Sequence, residues 1–133
     1  MIETKALYAA ATLTAIAVIF YETLVLRVNP ARRRYDVKSP ATAGNVEFER
    51  ILRTQQNTLE QLPAFLAGLW LAAIFGGAFF TWICGSIWLV ARLVYVWLYA
   101  RGLPRAYATI PAYIVIFVMN GFSLVIIALR MME

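Results

Sequence analysis

From Leu62 to Ala91 the chain carries no aspartate, glutamate, lysine or arginine. A bilayer-spanning helix needs roughly 20 predominantly apolar residues, so this tract is longer than one span requires and is shared between two. Gly76-Gly77 is the one break inside it and is expected to turn one helix into the next. The remaining composition agrees: 62% of the 133 residues are hydrophobic, 14% are charged and the mean hydropathy is +0.72, outside the balance of soluble domains. The short alternating segments of a β-barrel are absent.

The pattern predicts an all-α integral membrane protein, one domain over residues 1–133. Its four transmembrane helices are expected at about 6–28, 46–75, 78–101 and 105–130. Asn29-Pro30 is read as the end of the first helix, because proline disfavours helical geometry before it and donates no backbone hydrogen bond. Ser39-Pro40 and Gly44 mark a loop, and Asn45 is the expected N-cap of the second helix, followed by Glu47 and Glu49 where the helix dipole favours acids. Gly102-Leu103-Pro104 separates the last two helices. The first apolar segment contains Glu22 and Arg27 and no small-residue cleavage site, so it is expected to remain as a span.

Basic residues near spans are retained on the cytoplasmic side. Arg27, Arg32, Arg33, Arg34, Lys38, Arg50 and Arg53 cluster around the first connection, and Arg101 and Arg105 flank the third. Both termini are therefore expected on the opposite side. The basic balance also draws anionic lipid, but with no soluble surface on which to lay a duplex it does not imply nucleic acid. The chain has no histidine, which removes the usual general base, and its one cysteine, Cys84, supports neither an intrachain disulfide nor a thiolate metal cluster. No metal site is expected, and Cys84 reads as a small buried residue.

On the second helix Arg53, Asn57 and Glu60 recur at i, i+4 and i+7, with Gln55 and Gln56 beside them. On the third, Arg92, Tyr95 and Tyr99 recur at i, i+3 and i+7. Ionisable groups at membrane depth are costly and point into the bundle or a wet cavity. Two structural accounts are available: Arg53 pairs with Glu60 or Glu49, and Arg92 pairs with Glu22. Even so, arginines outnumber acids here, and guanidinium forks suit carboxylates. With Glu60 placed for an ammonium, the inventory fits a small molecule bearing two carboxylates and one ammonium.

The run FERILRTQQNTLEQLP, from Phe48 to Pro63, resembles the Phe-Glu-Arg…Arg-x-Gln-x-Asn-x-x-Glu-x-x-Pro pattern of the MAPEG family, the membrane-associated proteins of eicosanoid and glutathione metabolism. The upstream ARR and SPATAG and the later ARLVYVWLYAR are similar to its leukotriene-conjugating synthase and microsomal glutathione transferase branch. The resemblance implies a homotrimer with glutathione held between subunits at the cytoplasmic side and conjugated to a lipophilic electrophile. Glutathione peroxidase activity is the accompanying expectation.

Carried over, Arg32, Arg53, Gln55, Asn57, Glu60, Arg92, Tyr95 and Tyr99 are expected to hold glutathione. Arg105 is expected to stabilise its thiolate, and Arg33 to assist the electrophile. Two positions depart from the family pattern. Residue 61 is glutamine where the nearest relatives carry an aromatic, and Arg105 follows Tyr99 by six residues rather than seven, which leaves Arg101 as the competing thiolate partner. The alternative function is a non-catalytic lipid-binding scaffold of the lipoxygenase-activating type. Such a scaffold has no need of the complete Arg53, Gln55, Asn57 and Glu60 set.

Overall fold

The computed structural model describes residues 3–132. They form four helices, α1 (Thr4–Arg34), α2 (Val46–Phe75), α3 (Gly77–Ala100) and α4 (Ala106–Met131). All four are long and apolar enough to cross a membrane. At 1.5 Å per residue, the 24 residues of α3 reach about 36 Å and the 31 of α1 about 46 Å, against a hydrocarbon core of about 30 Å. The chain is an integral multi-pass membrane protein built as a helical bundle.

The last three helices lie within two residues of their expected limits, but α1 does not end at Val28. It continues through Pro30 to Arg34, and Tyr35 closes it with its N–H on the Ala31 carbonyl. Pro30 sits on the exposed side of α1, and the donor it lacks is owed to the carbonyl of Leu26, itself 73% exposed. The chain leaves the helix axis instead at Asp36, where φ is +51°. Asn45 caps α2 as expected, its Oδ1 accepting from the N–H groups of Glu47 and Phe48 at 2.9 and 3.1 Å. Gly77, at φ +79°, makes the reversal from α2 to α3.

The two ends of the bundle differ in charge. Ala78 N–H donates to Glu3 Oε2 at 3.1 Å, and Arg130 lies 5.5 Å over the Phe75 ring, so both termini meet the α2–α3 turn. At the other end Arg32, Arg33 and Arg34 close α1, Arg50 and Arg53 lie in the first turns of α2, and Arg101 and Arg105 lie in the α3–α4 connection.

The pair α2 and α3 is central: each packs on the other, on α1 and on α4, while α1 and α4 do not touch among the described residues. The inner stripe of α1 is Ala6, Ala9, Ala10, Leu13 and Ala17, all buried at helical spacing. Small side chains let spanning helices approach closely where lipid offers no hydrophobic penalty to escape from. Gly85 of α3 completes the fit, since a Cβ there would fall 2.5 Å from Leu13 Cδ1. Phe65 and Trp88 stack face to face at 3.8 Å between α2 and α3. Asn120 of α4 donates to the Ala64 carbonyl of α2 at 3.4 Å and to Ile116 of its own helix at 2.9 Å, a bridge between helices. Cys84 is buried in the core.

Candidate functional site

The expected stripe on α2 forms a connected network. Arg53 Nη1 lies 3.1 Å from Glu60 Oε1, and Asn57 Nδ2 donates weakly to Glu60 Oε2 at 3.4 Å. The structural account that pairs Arg53 with Glu60 is therefore realised. Glu49 is used elsewhere, accepting from Gly44 N–H at 2.9 Å. Both side chains of the Arg53–Glu60 pair are about half exposed, and such pairs contribute only about 0–1 kcal/mol. A ligand with opposite charges could open this pair at little cost.

Arg92 is different. It is 0% exposed, yet its partners are neutral: Nη1 donates to Asn57 Oδ1 at 3.0 Å and Nη2 to Thr58 Oγ1 at 2.8 Å. The account that pairs it with Glu22 is contradicted, because Glu22 is exposed and makes no ion pair among the described residues. Nε of Arg92 has no hydrogen-bond partner at all. A buried cation without a countercharge is expensive. Part of that cost is offset by Tyr95, whose ring centre lies 4.2 Å from the guanidinium.

From Arg92 a column climbs toward the α3–α4 connection. Tyr95 and Tyr99 stack at 5.6 Å with an interplanar angle of 11°, and the Arg105 guanidinium lies 4.8 Å over Tyr99. Arg105 is the N-cap residue of α4, so the positive end of that helix dipole adds to its own charge. The competing Arg101 points elsewhere. It stands about 160° round α3 from Tyr99 and stacks on Trp97 at 4.2 Å.

Seven of the ten expected residues are thus gathered along the α2–α3 pair and the start of α4. Three are not. Gln55 lies about 160° round α2 from Arg53, and its Nε2 donates to the Tyr21 hydroxyl of α1 at 2.8 Å. Arg32 holds the α1–α2 connection, donating to the Ala41 carbonyl at 2.7 Å and lying 4.9 Å over Phe48. Arg33 is exposed beside it and lines an open basin of about 450 Å³ with Arg32, Asp36 and Lys38. The division follows from packing: the seven face the α4 side of the central pair and the three face the α1 side.

One participant, Thr58, was not singled out by sequence reasoning, and another, Gln61, was marked only as a departure from the family pattern. Thr58 accepts from Arg92 while donating to the Thr54 carbonyl at 2.8 Å. Gln61, 2% exposed, accepts from Trp88 Nε1 at 3.2 Å and leaves its Nε2 without a partner. Thr54, Thr58 and Gln61 recur at i, i+4 and i+7, a second polar stripe one step round α2 that marks them as inward-facing.

Compared with known proteins, the chain matches the MAPEG family model over residues 7–127. It is similar to an uncharacterised protein of Synechocystis, 46% identical over 105 residues that cover 79% of this chain and 76% of that one. It is similar also to leukotriene C4 synthase of Mus musculus, 44% identical over 91 residues, which are 68% of this chain and 61% of that one. Microsomal glutathione S-transferase 2 of Homo sapiens is 36% identical over 80 residues, 60% of this chain and 54% of that one. The chain spans less than two thirds of the length of these last two relatives.

Proposed function

The chain belongs to the MAPEG family, and on that premise we propose that it is a membrane glutathione transferase, joining glutathione sulfur to lipophilic electrophiles that arrive through the bilayer. The observation that carries the reading is Arg92, wholly buried with neutral partners and a free Nε. A cation held this way is short of an anion, and glutathione brings two carboxylates, an ammonium and a thiol. Arg92 and Arg53 take the carboxylates, Glu60 the ammonium, and Asn57, Tyr95 and Tyr99 the peptide groups. Relatives named for leukotriene C4 synthesis and for glutathione transfer support the same chemistry.

In this scheme Arg105 keeps the sulfur deprotonated, since a permanent cation close to a thiol favours its charged form. The thiolate pair attacks the electrophilic carbon, a C–S bond forms, and the displaced electrons leave on the departing group or on an opened ring oxygen. Arg33 donates a hydrogen bond to that developing anion, which then takes its proton from water. With a hydroperoxide, the same thiolate would capture one oxygen and release the alcohol. A second glutathione thiol would then reduce the sulfenate to a disulfide with loss of water. Holding both reactants in place supplies the rest of the acceleration.

The proposal includes a homotrimer whose glutathione lies between neighbours, at the cytoplasmic side. In support, Arg32, Arg33 and Gln55 face the α1 side and the seven-residue column the α4 side, and α1 and α4 are the two outer helices. A neighbour's α1 side could then close over the column.

Detergent-purified protein titrated with glutathione is expected to develop the ultraviolet absorbance of a thiolate at neutral pH. Binding without that absorbance would favour the non-catalytic scaffold, and no binding would remove the function altogether. Shared sites make a second prediction. Chains carrying Arg105→Ala and chains carrying Gln55→Ala with Arg32→Ala, each strongly impaired as pure trimers, should regain activity when co-assembled. Random mixing in equal amounts pairs an intact column with an intact α1 side at about one interface in four, so about a quarter of wild-type activity is expected. No recovery in mixed trimers would show that each site is built within one chain.

A further inference from the structure

A second basic cluster stands outside the thiol column, and the function proposed above makes no use of it. Three cavities meet at Arg27. One of about 200 Å³ lies between α1, α2 and α3 and is lined by Arg27, Arg34, Arg50 and Glu47. A second, of about 340 Å³, continues from it as a groove along the α1–α3 seam, walled by Phe20 and Leu24 of α1 and by Leu93, Val96 and Trp97 of α3. The third, of about 320 Å³, opens beside Leu26 and Pro30.

Charge and depth are matched in an unusual way here. Phe20, Thr23, Arg27 and Arg34 recur at i, i+3, i+7 and i+14, so one face of α1 is apolar deep in the membrane and cationic where it emerges. Phe20 lies about 10 Å deeper than Arg27, and Arg34 about 10 Å further out. Glu47 is taken by Arg50 at 3.0 Å, and Glu22 is about 140° round α1 from Arg27. Arg27 and Arg34 are exposed and make no ion pair or side-chain hydrogen bond among the described residues. Trp97 and Leu93 remain 51% and 56% exposed at the groove.

We propose that the α1–α3 seam holds one anionic glycerophospholipid, its phosphate between Arg27 and Arg34 and an acyl chain laid in the groove between Phe20 and Trp97. A free phosphate would satisfy the arginines but leave the groove empty. A neutral lipid would fill the groove and leave Arg27 and Arg34 unmatched, while Arg101, which also lines the groove, is stacked on Trp97. Only a molecule with both parts suits the surface, and basic pockets between spanning helices recognise anionic headgroups in this way. The site is separate from the thiol column, because Leu93, Val96 and Trp97 lie on the other flank of α3 from Tyr95 and Tyr99.

The test is native mass spectrometry of the full chain in detergent, mixed with phosphatidylglycerol and phosphatidylcholine in equal amounts. One phosphatidylglycerol per chain should be retained in preference to phosphatidylcholine. Arg27→Gln with Arg34→Gln should weaken that retention by about tenfold or more, at about 1 kcal/mol for each cation near a membrane surface. Arg27→Lys with Arg34→Lys should keep it. Lys5→Gln with Lys38→Gln, which removes as much charge elsewhere, should also keep it. Should the glutamine pair fail to fold, Arg34→Gln alone gives the same reading at smaller amplitude. Equal retention of both lipids, an equal loss in the Lys5 and Lys38 variant, or displacement by excess inorganic phosphate alone would each overturn the assignment. Thiolate absorbance on glutathione binding, unchanged in the glutamine pair, keeps this outcome distinct from the fate of the transferase reading.

Discussion

Arg105→Ala is expected to leave glutathione bound while its sulfur stays protonated at neutral pH. The reason is local: in the scheme above, Arg105 and the α4 N-terminus are the positive groups beside the thiol, whereas Arg53 and Arg92 are occupied with carboxylates. A cation within a few ångströms lowers an acid's pKa by about 1–3 units, and an unaided thiol of pKa about 8.5 is still about 3% ionised at neutral pH, so turnover there should fall about 8- to 30-fold. The sign of the pH effect is diagnostic. Removing the cation raises the thiol's pKa, so the loss should shrink as pH rises and the thiol ionises unaided. Arg105→Lys should sit between, because an ammonium keeps the charge but loses the planar stack on Tyr99. Arg101→Ala should leave the thiolate signal intact, since Arg101 is stacked on Trp97 on the far side of α3. A thiolate signal lost in Arg101→Ala but kept in Arg105→Ala would reverse the assignment.

Arg92→Leu is expected to have the largest effect on affinity and a small one on the fold. Truncating one partner of a buried charge pair costs about 2–5 kcal/mol, which corresponds to about a 30- to 5000-fold weakening of glutathione binding. The folded protein responds differently. Exchanging buried charge for apolar side chains of similar volume is often neutral or stabilising. Against that, Asn57 Oδ1 and Thr58 Oγ1 each lose a donor, although Thr58 keeps its bond to the Thr54 carbonyl. Arg92→Lys should not rescue binding, because a single ammonium cannot reach Asn57, Thr58 and a ligand carboxylate together. Calorimetric titration read beside the thermal midpoint in the same detergent separates the cases. Unchanged glutathione affinity would remove Arg92 from the site, and a collapse of the midpoint would give it a structural duty instead.

Most of the architecture was legible because its signals are local. The Gly76-Gly77 break, the Asn45 cap and the Gly102-Leu103-Pro104 separator each act within a turn of the chain, and all three stand where expected. The first helix was misjudged for an equally physical reason. Proline removes one helical hydrogen bond but does not by itself end a helix in a spanning segment, and at Pro30, on the exposed side of α1, the helix runs on to Arg34. Spacing also found both polar stripes, because i, i+3 or i+4, and i+7 fix a common face whatever surrounds it. It could not say which arginine meets which acid: Glu22 lies too close in composition, and too far round its helix, to be judged from a string of letters. Thr58 carries no charge to mark it, and Gln61 stood out only as a departure from the family pattern, although burial makes both part of the network. The division of the site between two sides of the bundle depends on α1 and α4 lying apart, which no single helix reveals.

The unbroken course of α1 past Pro30 has a mechanical result. Arg32 and Arg33 stand on a rigid mast that rises out of the bilayer with the rest of the helix. Their height and bearing are consequently set by helical register, about 1.5 Å and 100° for each residue below them. Lengthening this segment by one residue would swing both guanidinium groups aside as a unit, a shift that a slack tether would absorb without notice.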